Sequence, residues 1–155
     1  MRINVKHFAI FVCCGILLSC SLPKANYVDT NSDKSYERLK GSEYKSTVQL
    51  EKVGVTDSEK YEKKVDYYLV VKSPGFRGPE VVNRSLIPAG TKIKVLNVLK
   101  CTNCLSSDER VSIAIEGTSE ASPIYLSGFV VKEGQAPSAF RDLSTESFEK
   151  VPTQR

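Results

Sequence analysis

Tryptophan is absent from this chain, and histidine and methionine occur once each. The lone histidine, His7, lies in residues 1–19, a stretch whose composition is not that of a folded domain. Beyond it there is no imidazole for a catalytic triad, a proton shuttle or a metal site. Glycine-rich phosphate loops and Gly-x-Ser-x-Gly elements are missing, and no Ser-x-x-Lys occurs in a setting suited to catalysis. Long apolar runs are also missing. The one extended run, Phe8 to Leu18, has 11 residues, whereas a membrane-spanning helix needs roughly 20. A strong charge of either sign is lacking too. The formal charge is +4, Arg2 and Lys6 supply two of those charges, and +2 remains on the rest. Lys60, Lys63 and Lys64 interleave with Glu59, Glu62 and Asp66, so they form no nucleic-acid footprint.

What is present begins with an address. Met1 to Lys6 carries two cations and no acid, the apolar run follows, and the run exits through Leu17-Leu18-Ser19-Cys20. A cationic start, an apolar stretch of roughly 7–15 residues and a small-residue exit make a signal peptide, here residues 1–19. The exit resembles the lipobox of bacterial lipoproteins. That resemblance implies cleavage between Ser19 and Cys20 after a diacylglyceryl group has been attached to the Cys20 sulfur. A thiol is needed there because sulfur is the nucleophile that accepts the lipid. Each buried methylene contributes about 0.8 kcal/mol and one acyl chain holds only marginally, so two or three chains make attachment permanent. Cys13 and Cys14 are small hydrophobes that leave with the peptide. Ser21, by analogy with Gram-negative sorting, favours the outer membrane. The expected location is therefore the bacterial envelope, with membrane lipid as a partner through Cys20.

Removing 19 of 155 residues leaves 136, one domain's worth. Residues 20–45 read as a polar tether without helical or alternating period, and about 25 flexible residues have a root-mean-square reach of roughly 25–30 Å. Tyr27, Tyr36 and Tyr44 recur at spacings of nine and eight, as incidental linker tyrosines or as a partner-binding strip. Residues 46–135 read as a β domain. Thr47 to Leu50, Lys92 to Val95 and Val111 to Glu116 alternate, which places Ile93 with Val95, and Val111 with Ile113 and Ile115, on single faces. Tyr67 to Lys72, Val95 to Leu99 and Ile124 to Val131 are more continuously apolar, as in strands buried on both sides or bending around a closed barrel. Ser73-Pro74-Gly75, Arg77-Gly78-Pro79, Pro88-Ala89-Gly90 and Gly117-Thr118-Ser119 are reversal points. At least five close strands predict a mainly β fold, a small antiparallel barrel or sandwich. Thr56 and Glu59 have capping-box spacing, so a short helix or a solvated loop follows. Residues 136–155 read as a C-terminal helix or tail, because Phe140, Leu143, Phe148 and Val151 can share a helical face.

Chemistry converges on Cys101-Thr102-Asn103-Cys104. A thioredoxin-type centre wants this spacing at a helix N-terminus, but the pair follows a predicted strand. Zinc needs two further soft or imidazole ligands that the mature chain lacks. A structural disulfide pinning a reversal in an oxidising compartment is the leading expectation, with a gain of about 2 kcal/mol. Idle thiols and a thiol redox role are the alternatives. Asp108-Glu109 beside Arg110 reads as a solvated, salt-linked bend. Tyr125 and Phe129 are expected to be buried in a closing strand, the alternative being an exposed apolar groove around them. No catalytic residue, metal site or cofactor is expected.

A second resemblance covers about 50 residues. Leu86-Ile87-Pro88-Ala89-Gly90-Thr91-Lys92-Ile93-Lys94-Val95-Leu96 looks like the turn-and-strand segment of bacterial Src-homology-three-like barrels. Arg110 to Glu116 and Tyr125-Leu126-Ser127-Gly128-Phe129-Val130 are similar to that family's later strands. The resemblance implies a barrel and no particular ligand site. Modules of that family bind cell-wall peptides or act as spacers. The sequence thus predicts a non-enzymatic, lipid-anchored binding or assembly module whose partner is an envelope protein or peptidoglycan, the alternative being a lipoprotein with thiol redox or other histidine-free activity.

Overall fold

The computed structural model describes residues 25–30, 32–104, 108–132 and 140–152. The expected signal peptide, Ser19 and Cys20 lie outside these residues. The strands are β1 (Tyr27–Asp29), β2 (Glu43–Ser46), β3 (Leu50–Val55), β4 (Tyr67–Lys72), β5 (Val81–Ile87), β6 (Lys92–Cys101), β7 (Glu109–Ile115), β8 (Ile124–Ser127), β9 (Val130–Lys132), β10 (Arg141–Leu143) and β11 (Phe148–Lys150). A single 3-10 turn, Lys34–Tyr36, is the only helical element among the described residues. The fold is mainly β.

Eight strands follow the order β11-β2-β6-β7-β8-β4-β3-β5, β1 adds to β6 as a ninth, and β9 pairs with β10 in a separate two-stranded sheet. The large sheet is not closed into a barrel, since its ends, β5 and β11, do not pair. Instead the sheet turns a corner. The chain runs from β5 into β6 through Pro88-Ala89-Gly90 and from β2 into β3 through residues 47–49. At that corner the Gly90 N–H donates to the Ser46 carbonyl (2.7 Å) and the Ser46 N–H to that of Thr91 (2.9 Å). Gly90 has φ of 90°, a left-handed conformation that a side chain would strain. The expectation of an antiparallel arrangement holds for every pair but one: β4 and β8 run parallel, Tyr68 opposite Ile124.

Period two explains the core. Val111, Ile113 and Ile115 of β7 are buried on one face, against Ile93, Val95 and Val98 of β6. A bulge between Val95 and Asn97 shifts the register. It leaves Leu96 54% exposed, where a strand buried on both sides was expected. Likewise only Val70 of β4 is buried. Gly128, with φ of 79°, breaks the run from Ile124 to Val131 into β8 and β9.

Three boundaries are corrected. The folded domain begins at Tyr27 and not at residue 46: Tyr36, Leu39 and Tyr44 are buried, and β1 and β2 both pair with β6. One apolar residue in Glu43-Tyr44-Lys45-Ser46 was too faint a signal for a strand, although the burial there alternates. Conversely, the alternating residues 47–49 form the bend between β2 and β3. After residue 139 the chain is two short strands rather than a helix. Leu143 and Phe148 enter the core, and the Phe148 ring meets Phe129 edge-on at 5.1 Å and Tyr44 at 6.5 Å. The residues after Thr56 form no helix; Thr56 accepts from the Ser58 N–H (3.2 Å), and Asp66 ties the loop back.

Candidate functional site

Residues with alternating orientation bring Arg110, Tyr67 and Tyr125 to the face of the sheet opposite the core. Val111 and Leu126 point inward, so their neighbours Arg110 and Tyr125 point outward. Ser112 lies opposite Tyr125, and Tyr125 lies opposite Leu69, two residues beyond Tyr67 on its face. β1 then lays Tyr27 beside this face, with Tyr27 opposite Cys101. The Arg110 guanidinium sits 4.1 Å from the Tyr27 ring centroid, 4.9 Å from Tyr67 and 5.9 Å from Tyr125. The Tyr67 and Tyr125 rings are 6.1 Å apart and inclined at 59°.

Acids surround the cluster. Tyr27 donates its hydroxyl to Asp108, whose Oδ2 is 4.0 Å from Arg110 Nε. Nε itself is buried without a hydrogen bond. Burial, reinforced by the bond to Asp108, pushes the Tyr27 hydroxyl up to about 12. Burial also raises Tyr67, whose hydroxyl bonds to both Arg110 and Asp57, the first opposing the shift and the second adding to it. Asp66 accepts from the Asp57 N–H (2.9 Å) and Thr56 Oγ1 (3.3 Å). The Asp57 N–H is the main reason its carboxyl is held below the usual range. With Ala25 and Pro123, the three tyrosines, Arg110, Asp57 and Asp66 line a cleft of about 380 Å³.

The disulfide joins Cys101 to Cys104, with Cα atoms 5.7 Å apart. It lies in a bend beyond β6 and at no helix terminus. Its loop grips the incoming chain. Asn103 Oδ1 accepts from the Asn26 N–H (2.7 Å), while the Thr102 N–H and hydroxyl donate to the Asn26 carbonyl (2.9 and 3.1 Å). The disulfide therefore positions Tyr27, one wall of the cleft.

The salt link expected at Asp108-Glu109 is present, Asp108 facing Arg110 at 4.0 Å, but the solvated bend is corrected for Glu109, which lies in β7 with its side chain 9% exposed. Glu109 shares the core face with Val111, and at the end of that face the Tyr36 hydroxyl (2.7 Å) and Arg141 (2.9 Å) cap it. Of the two rings expected to be buried, Phe129 is, whereas Tyr125 is half-buried and lines the cleft. Sequence reading missed the cleft because its residues are spread from position 25 to 125. The only local signal was an outward-facing arginine in an alternating strand. A larger hollow of about 450 Å³ lies over Leu96, Ala114 and Ile124. Its one acid, Glu120, is already paired with Lys52, and the rest of its polar lining is hydroxyls, those of Ser112, Thr118, Ser119 and Ser122. Among the described residues no three His, Cys, Asp or Glu side chains gather as a metal site. Compared with known proteins, no family model, no curated sequence and no solved structure matches this chain.

Proposed function

We propose that this chain is a lipid-anchored binding module of the bacterial envelope, held through acylated Cys20, with an envelope protein or peptidoglycan as its partner. The observation that carries the reading is Leu17-Leu18-Ser19-Cys20 closing an apolar run of 11 residues behind a cationic start. A β domain that opens onto a polar, aromatic cleft supports a role in binding. Cys20→Ser should release the protein from membranes and abolish incorporation of labelled fatty acid. A variant that keeps the lipid label, or a native product that partitions into the aqueous phase, would overturn the anchor. Crosslinking in the native envelope followed by mass spectrometry tests the binding role, and failure to recover any reproducible partner counts against it.

A further inference from the structure

We propose that the cleft between Tyr27, Tyr67, Tyr125, Arg110, Asp57 and Asp66 is a saccharide site. The inference deepens the binding-module reading and rests on it.

Charge decides the ligand class. An anionic ligand meets Asp57 and Asp66, and the one arginine of the lining already faces Asp108 at 4.0 Å. A cationic ligand would seek the tyrosine faces, but Arg110 already occupies that position, within 6 Å of all three ring centroids. Its fixed charge repels a second cation. A neutral ligand remains, and the groups around the cleft are unusually mixed for one. Carboxylates accept, the guanidinium donates, tyrosine hydroxyls do either, and the ring faces are apolar. A pyranose presents the complement: a flat C–H face for an aromatic ring and equatorial hydroxyls that both donate and accept. Tyr67 and Tyr125, inclined at 59°, offer the ring surface. Each carboxylate has room for about four hydrogen bonds. Asp66 Oδ2 takes two from the protein while Oδ1 faces Lys64 at 3.6 Å. Bonds from sugar hydroxyls to these oxygens are charge-assisted and short. The cleft volume, about 380 Å³, falls within the roughly 300–1,000 Å³ of small-ligand sites.

The test is titration with maltotetraose and with the tetramer of N-acetylglucosamine, followed by tyrosine fluorescence. The anchored chain is reconstituted in phosphatidylcholine vesicles with and without a glucosyl lipid, and the Cys20→Ser chain is titrated in solution. Saturable binding of at least one tetrasaccharide is expected. Tyr125→Ala and Asp57→Asn should each weaken it about tenfold, with unchanged melting, while Glu120→Gln in the neighbouring hollow leaves it unaltered. Competition by the glucosyl lipid would identify a lipid headgroup as the source of the sugar, and its absence a free or polymeric glycan. Because the Cys20→Ser chain needs no anchor, sugar binding by it upholds the cleft even where anchoring fails. No binding of either sugar, binding indifferent to both cleft variants, or saturation by tetramethylammonium or acetate instead would overturn the assignment.

Discussion

Arg110 carries its charge on the outer face of β7, with its Nε buried and without a hydrogen bond. Losing a buried donor's partner costs about 1–3 kcal/mol. Each ring contact returns about 0.5–2 kcal/mol, so the three rings together are enough to offset the loss. The tyrosines are more sensitive. Tyr27, Tyr36 and Tyr67 all hold their protons more tightly than a free phenol, chiefly through burial; for Tyr36 the bond to Glu109 adds to this, for Tyr27 the bond to Asp108. A free tyrosine titrates near about 10, and Tyr27 near about 12. The folded state thus binds the proton more strongly, so this stabilisation is complete below about pH 10 and is lost as pH rises through 12. Tyrosinate absorbance should rise in two stages, the later one coincident with loss of the β signal in circular dichroism. A single stage near the free-phenol value, with the fold intact, would contradict the buried network. None of this was legible at residue scale, because Tyr27 and Tyr36 sit in a polar stretch whose composition resembles a linker. Their partners, Asp108 and Glu109, lie more than 70 residues away.

At the scale of elements, β1 is among the most lightly held strands. It is three residues long, pairs with β6 alone and exposes Val28. What secures it is the loop of Cys101 and Cys104 at one end and Thr30 at the other, whose N–H and hydroxyl both donate to the Val98 carbonyl. Opening so small a loop removes about 2 kcal/mol. The loss should therefore be local, short of global unfolding. In the Cys101→Ser, Cys104→Ser double variant, amide exchange should accelerate across Tyr27–Asp29 while Val111–Ile115 keeps its protection. Uniform acceleration through β7, or none in β1, would contradict the latch. Elements with several alternating apolar residues, β6 and β7, were legible from sequence. Those that rest on one side chain were not. β2 places only Tyr44 in the hydrophobic core, and β10 and β11 place Leu143 and Phe148 there, five residues apart. Taken with Phe140 and Val151 they could line one broad helical face or two strands joined by a turn, and tertiary packing against Phe129 and Tyr44 decided between them.

For the whole molecule, the early start of the domain changes how an anchored copy would sit. With Cys20 acylated as proposed, seven residues lead to Tyr27. Seven residues span at most about 25 Å. A domain of this size has a radius of gyration of about 14 Å, so the tether is no longer than the body it holds, and the domain rests close to the lipid surface instead of ranging away from it. The cleft, with Ala25 and Tyr27 in its lining, lies at the tethered end. A partner of the proposed anchored form would be met near the membrane. Vesicles carrying a photoactivatable headgroup should label Asn26 and the Thr102-Asn103 bend of the anchored chain. Inserting about twenty Gly/Ser residues between Pro23 and Lys24 roughly doubles the mean reach, and labelling there should fall severalfold while melting is unchanged. Equal labelling with and without the spacer would mean that the short tether does not set the position of the domain.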